Sequence, residues 1–351
     1  MRVPNLVSKT LSMISTTQQD KSKGAKMREL TYREALREAL REEMRGDPSV
    51  FLMGEEIAEY GGSFKVTLGL VDEFGHDRVR NTPLAEASIA GAALGAALVG
   101  MRPVAEIMYI DFSFIAADLI INQIAKLRYM TGGMVKVPLV IRTQGGGGAA
   151  AAAHHSQSLE VIYAHIPGLI VVMPSNAYDA KGLLKSSIRE DNPVIFIEHK
   201  KLYGEACAVP EEEYLVPLGK AEVKRQGDDI TVVTYSRCVN LTLMVAEKLK
   251  GDGIELEIID LRTLKPLDED VILSSVKKTG KVMIVYEAYR TGGFGAEIAA
   301  LVAEKAFDYL DAPIKRVAAL DSPVPFNPRL EDYILPNEKD IEAAALELMG
   351  K

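Results

Sequence analysis

Short apolar runs alternate with helical patterns along most of this chain, and that alternation limits the folds open to it. VFLM (50–53), PVAEIM (103–108), VPLVIR (137–142), LIVVMP (169–174) and PVIFIE (193–198) carry little polar alternation. Helical patterns near 86–100, 113–130 and 176–189 lie between them. A strand with no polar face must be covered on both sides, and a helix between strands makes the crossover that parallel pairing needs. A second series follows: ITVVTYS (230–236), a helix near 239–250, IELEIID (254–260), a helix near 268–278, KVMIVYE (281–287) and a helix near 294–308. The charged stretch EEEYLVPLGKAEVKRQGDD (211–229) separates the two series. The pattern reads as two doubly wound α/β domains, at 27–205 and 229–351, with 206–228 as the linker.

Length agrees, since 351 residues suit about two domains. A net charge of −8 argues against a nucleic-acid surface, which needs clustered Lys and Arg. No apolar run approaches the ~20 residues that span a bilayer. The two cysteines, Cys207 and Cys238, are far apart and in no motif, so a reducing compartment is expected, the cytoplasm first. Residues 1–26 are basic, Ser/Thr-rich and nearly free of acid. They read as a disordered leader; as a transit peptide they would imply the mitochondrial matrix.

Order begins at Thr31. Thr31 and Glu34 have capping-box spacing, and Leu36, Leu40 and Met44 then mark one apolar helix face. Asp47-Pro48 ends that helix. The Ala/Gly-rich stretch EASIAGAALGAALVG (86–100) lets another backbone approach closely, inside the domain or at a subunit interface. GDG at 251–253 reads as a helix-ending turn with a left-handed glycine. TGGFGAE (291–297) lacks dinucleotide-fingerprint spacing and reads as a loop entering a helix.

Three acids and bases stand out as candidates. Glu55 in GEE follows VFLM directly, and Glu86 closes TPLAE (82–86) where the small-residue helix begins. The strand-to-helix edge of a parallel sheet is where ligands bind, although an acid at Glu86 would also complement the helix dipole. In QGGGGAAAAAHHSQSLE (144–160), His154 and His155 are adjacent, so they cannot easily share one metal, and no HExxH or CxxC partner exists. His155 is open to a structural or a catalytic reading.

NTPLAEASIAGAALGAALVGMRPVAEIMYIDF, HHSQSLE, PGLIVVMPSNAYDAKGLLKSSIREDNPVIFIEHKKLYG and TGGFGAEIAALVAEKAFDYLDAPIKRV occur in that order. Together they resemble the β subunit of the thiamine-diphosphate-dependent 2-oxo acid dehydrogenases, of the pyruvate, branched-chain and acetoin types. The resemblance covers about 27–350. It implies a transketolase-like pyrimidine-binding domain followed by a transketolase C-terminal-type domain. It also implies that Glu86 hydrogen-bonds N1′ of the cofactor's aminopyrimidine, and that Glu55, Leu84 and Phe112 line the pyrimidine pocket. His155 matches the family's active-site histidine. Leu139, Ser187, Glu190 and Asn192 match positions that hold potassium in some members. Family members keep the diphosphate and its Mg²⁺ on a separate α subunit, whose GDG motif is completed by an asparagine. This chain's GDG lies in the other domain and lacks that asparagine, so the resemblance implies an α2β2 heterotetramer that docks on a lipoyl acyltransferase core. The chain departs from the pattern at Ala149–Ala153, where relatives have a more varied loop, and at His154, where close relatives have Gln.

The expected activity is oxidative decarboxylation of pyruvate with acyl transfer to lipoyl groups, in partnership with α. Acetoin and branched-chain 2-oxo acids are the alternative substrates. A non-catalytic scaffold of the same fold is the further alternative.

Overall fold

The computed structural model describes residues 26–351; the rest of the expected leader lies outside the described residues. Seven strands come first: β1 (Met27–Thr31), β2 (Val50–Gly54), β3 (Val79–Asn81), β4 (Arg102–Ile107), β5 (Val140–Gly145), β6 (Ile170–Val172) and β7 (Val194–His199). Seven follow: β8 (Ala206–Pro210), β9 (Glu222–Arg225), β10 (Ile230–Thr234), β11 (Leu256–Asp260), β12 (Thr263–Lys265), β13 (Val282–Tyr289) and β14 (Lys315–Ala319).

The first large sheet runs β12-β6-β7-β5-β4-β2-β3, and all its pairings are parallel except β12 on β6. The second runs β14-β13-β10-β11-β9, parallel except for β9 on β11. Every residue of β2, β5, β7, β10 and β11 is buried, as unalternating apolar runs require. The α/β reading with two parallel-sheet domains therefore holds. Between 206 and 228 the chain forms β8, which pairs with β1, and β9, which joins the second sheet.

The two halves interlock. β12 belongs to the second half of the chain but pairs with β6 of the first sheet. One apolar cluster joins Ile141 and Ile197 of the first sheet to Val233, Ile284 and Tyr286 of the second. Beside it, buried Asp179 meets Lys224 at 2.7 Å and Arg262 at 2.6 Å. Burial pushes the Asp179 carboxyl up, but the two cations outweigh burial and hold it at about 2.

Local expectations met mixed outcomes. Thr31 caps the helix Tyr32–Gly46 with both bonds of the capping box, and Leu36, Leu40 and Met44 are buried. β5 starts three residues later than VPLVIR predicts, because Pro138 has no N–H to give a ladder. The single helix expected at 113–130 is three pieces: a 3-10 turn at Ile110–Ala116, a π turn at Leu119–Ile124 and an α turn at Leu127–Met130. The buried positions explain the change of pitch. Ile110, Ser113 and Ala116 recur every three residues, whereas Ile120 and Ile124 are four apart. After Gly251 the left-handed glycine of GDG is Gly253 (φ 74°), in a turn into β11. In TGGFGAE, a Cβ on Gly293 or Gly295 would lie 2.6 Å or 2.0 Å from the Tyr286 ring, so these glycines serve packing. In the small-residue helix Glu86–Leu98, a Cβ on Gly91 would meet Leu119 at 3.3 Å, whereas Gly95 faces open space. Cys207 and Cys238 are both free thiols.

Candidate active site

The chain leaves β2 for β3 on one side and then crosses back to place β4 on the other. That reversal makes the crevice beyond the carboxyl ends of β2 and β4 the switch point where open α/β sheets bind ligands. Glu55 follows β2 at this edge, and the turn bearing Phe112 follows β4. Glu86 opens the helix that follows β3. The loop after β5 leads to His155.

Glu55 is only 4 % exposed, and neither carboxylate oxygen has a hydrogen-bond partner. Burial raises its proton affinity first, and the nearby charges of Glu86 and Glu106 raise it further, to about 7. Glu56 beside it has φ 54°, a left-handed conformation that a non-glycine residue holds only under support from its surroundings. Thr82 donates its N–H to the Gly54 carbonyl (2.9 Å), and Asn81 Oδ1 accepts from Ala58 N (2.8 Å). These bonds tie the Glu55 turn to the segment that delivers Glu86. Leu84, between them, is 81 % exposed at the rim.

His155 is half-buried, and its ring meets Tyr109 and Phe112 edge-to-face at 5.2 and 5.4 Å. Tyr109 also meets Phe64 at 5.9 Å, in the loop that begins at Glu55. One aromatic ring therefore bridges the histidine to the acidic side of the crevice. His154 is exposed and lines a separate open cleft of about 640 Å³ with Gln157, Tyr289, Thr291 and Asp321. A buried carboxyl near neutrality can hold or release a proton, and a histidine among rings can meet a reacting group across the crevice.

The positions matched to potassium lie together, but their atoms are occupied. Leu139 O accepts from Val194 N (2.9 Å), and Ser187 Oγ donates to Leu183 O (2.7 Å). Glu190 Oε1 accepts from the N–H of Asp191 (2.9 Å) and Asn192 (3.0 Å). Asn192 Oδ1 accepts from Arg128 (2.8 Å), and the Glu190 carbonyl from Arg102 (3.0 Å). Two guanidinium groups already donate to the Glu190 and Asn192 oxygens, so an ion here would have to use the second lone pair of each carbonyl.

Sequence reasoning missed several residues around the His155 loop. Asp111 Oδ1 accepts from Gln157 Nε2 at 2.9 Å. Glu287, near the end of β13, accepts from Gly147 N (2.6 Å) and lies 3.0 Å from His199 Nε2 and 3.2 Å from Arg237. Glu331 accepts from Gly148 N and Ala150 N, each at 2.8 Å. An acid closing the run KVMIVYE was a signal for Glu287; nothing local marked Glu331.

Comparison with known proteins agrees with the two-domain fold. A model described as transketolase, pyrimidine binding domain, matches residues 28–205, and one described as transketolase, C-terminal domain, matches 219–341. The pyruvate dehydrogenase E1 component subunit beta of Rickettsia felis is 50 % identical over 313 residues, covering 89 % of this chain and 96 % of that protein. The 2-oxoisovalerate dehydrogenase subunit beta of Bacillus subtilis is 47 % identical over 324 residues, covering 91 % and 98 %. A solved chain titled split gene transketolase, inactive beta4 tetramer, shares the fold: TM-score 0.75 at 23 % identity, covering 92 % of this chain and 99 % of that one. The chain belongs to the family of β subunits of 2-oxo acid dehydrogenase E1 components.

Proposed function

We propose that this chain is the β half of a pyruvate dehydrogenase E1 component, decarboxylating pyruvate and passing the acyl group to lipoyl groups only when joined to an α subunit. One observation carries the reading: Glu55 is a buried acid with both oxygens bare, beside Glu86, at the switch point of the first sheet. Bare buried acceptors are costly unless a donor arrives, and the amino-bearing ring of thiamine diphosphate fits as that donor. Glu86 and Glu55 would hold that ring, with Leu84 and Phe112 against its faces. When bound, the cofactor supplies the carbanion nucleophile and the electron sink for decarboxylation. Glu86 would keep a proton on the ring nitrogen it faces. His155 would meet the substrate side, moving a proton or steadying charge as the acyl group leaves for the lipoyl arm.

The surface supports a partner. At the crevice Leu84 is 81 % exposed, and Phe114 and Ile115, in the turn that follows β4, are half-exposed. Apolar side chains gathered around a crevice mark an interaction surface. The α subunit would cover it and bring the diphosphate site with its Mg²⁺, in an α2β2 assembly that docks on the acyltransferase core. No helix among the described residues is long and apolar enough to cross a membrane, and a cytoplasmic complex is the simplest setting. No step is assigned to potassium.

Branched-chain 2-oxo acids are the second reading, favoured by the 47 % identity to the B. subtilis 2-oxoisovalerate dehydrogenase subunit beta. The test is reconstitution with an α subunit of the same family, and rates with pyruvate, acetoin and 3-methyl-2-oxobutanoate. Pyruvate should give the highest kcat/KM, and this chain alone should give none. Decarboxylation by this chain alone would refute the shared-site reading.

A further inference from the structure

The loop that carries His155 is held from the other domain. Beyond β5, three backbone donors within four residues point into carboxylates of the C-terminal half: Gly147 N to Glu287 Oε1, Gly148 N to Glu331 Oε1 and Ala150 N to Glu331 Oε2. Glu331 is 1 % exposed, on the short helix Pro328–Ile334 capped by Asn327. The approach is close. A Cβ on Gly146 would fall 2.9 Å from Glu287 Oε1, and one on Gly147 2.7 Å from Leu335 Cδ1. Further along, Ala150 (φ 52°) and Ala152 (φ 63°) are left-handed although neither is glycine. A loop strained at two alanines keeps its shape only if its surroundings over-determine it. From Ala152 the path to the histidine is one 3-10 turn, with His155 N bonded to Ala152 O at 3.3 Å.

We propose that Glu331, seconded by Glu287, is a positioning residue for His155: by fixing the 147–150 backbone it presents the imidazole between Tyr109 and Phe112. The proposal rests on the catalytic reading of His155. Glu331 touches no reacting atom; it acts only through the loop. Both backbone bonds are charge-assisted, so a carboxamide keeps the shape of the side chain but loses one of the two acceptors.

The experiment is a double-mutant cycle on the chain assembled with its α partner, using pyruvate and added thiamine diphosphate and Mg²⁺. Glu331→Ala should lower kcat on the order of 100-fold, the effect of misplacing a reacting group by about 1 Å, with KM and cofactor affinity little changed. Glu331→Gln should lose about tenfold, the worth of one such bond, and it replaces the alanine variant if that variant fails to assemble. In a His155→Ala background, Glu331→Ala should cost nothing further, a result that a merely structural role would not produce. Full activity of Glu331→Ala beside an inactive His155→Ala would overturn the positioning role alone, as would equal losses in both backgrounds. Full activity of His155→Ala would overturn the catalytic reading of His155 and this proposal with it.

Discussion

Glu55 and Glu287 hold matching places in the two domains: each stands at or just past the carboxyl end of a parallel strand flanked on both sides, and each is buried. Burial alone pushes both carboxyls up, yet they end on opposite sides of the ordinary range. Glu55 has no hydrogen-bond partner and two acidic neighbours, and it rises to about 7. At Glu287, burial is outweighed by His199, Arg237 and the Gly147 N–H, which hold it well below that range. The number of partners, rather than depth, sets the sign of the shift. A saturated acid is a fastener, and its loss should be felt in stability. A bare acid is a place kept for something else, and its loss should be felt in binding and rate.

The largest test falls on the bare side of this contrast. Glu86→Gln in the assembled protein should cut kcat by roughly 10²–10⁴-fold, the usual worth of a proton-handling group, with thermal stability nearly unchanged. A kcat within tenfold of wild type would leave the Glu55–Glu86 crevice without a catalytic role, and the scaffold reading would gain. The saturated side should behave differently. Glu287→Ala strips His199 and Arg237 of their counter-charge and should cost about 3–5 kcal/mol of stability in denaturant unfolding, as breaking a buried pair does. Because the folded carboxyl titrates below the unfolded value of 4.5, this contribution is present above pH 4.5 and fades as pH falls below it. A smaller version of the same test is Gly146→Ala. Its φ is 85°, and the new Cβ would press on His199, so about 1–3 kcal/mol should be lost.

The same contrast explains what the amino-acid order disclosed. β2, β4, β7, β10 and β11 were legible because strands covered on both faces leave predominantly apolar runs with few polar breaks. β9, EVKR, was not, because its charges are half-buried in the Asp179–Lys224–Glu222 network and imitate a loop. β12 was hidden for another reason: three residues long, it exists only because it pairs with β6 across the chain. In the site, Glu86 and His155 could be named because their segments resemble a family, but their surroundings could not. That Glu55 lacks a partner is a fact about every neighbour it does not have. Glu331 reaches Ala150 across 181 positions, a separation at which no spacing rule applies.

The smallest expected effect sharpens the comparison most, because it turns the bare acid into a stability measurement. Below pH 4.5, Glu55 is protonated in folded and unfolded chains alike and contributes no difference. Between 4.5 and about 7 the unfolded chain ionises while the folded one holds its proton, so stability is lost as pH rises, and above about 7 the loss is complete. Glu55→Gln cannot ionise and should escape that loss. Its advantage over wild type should grow from nothing near pH 4.5 to a plateau above pH 7, about 1 kcal/mol once solvent screening at the crevice is allowed for. Glu287→Gln, measured the same way, should change with the opposite sign: its deficit against wild type grows as pH rises toward 4.5 and stays constant above it. If the two curves run in the same direction, partner number does not separate these acids. A ligand that donates to Glu55 would lower its proton affinity and flatten the Gln advantage. Repeating the Glu55 curve on the α-bound protein with thiamine diphosphate therefore asks whether the bare carboxylate is where the ring sits.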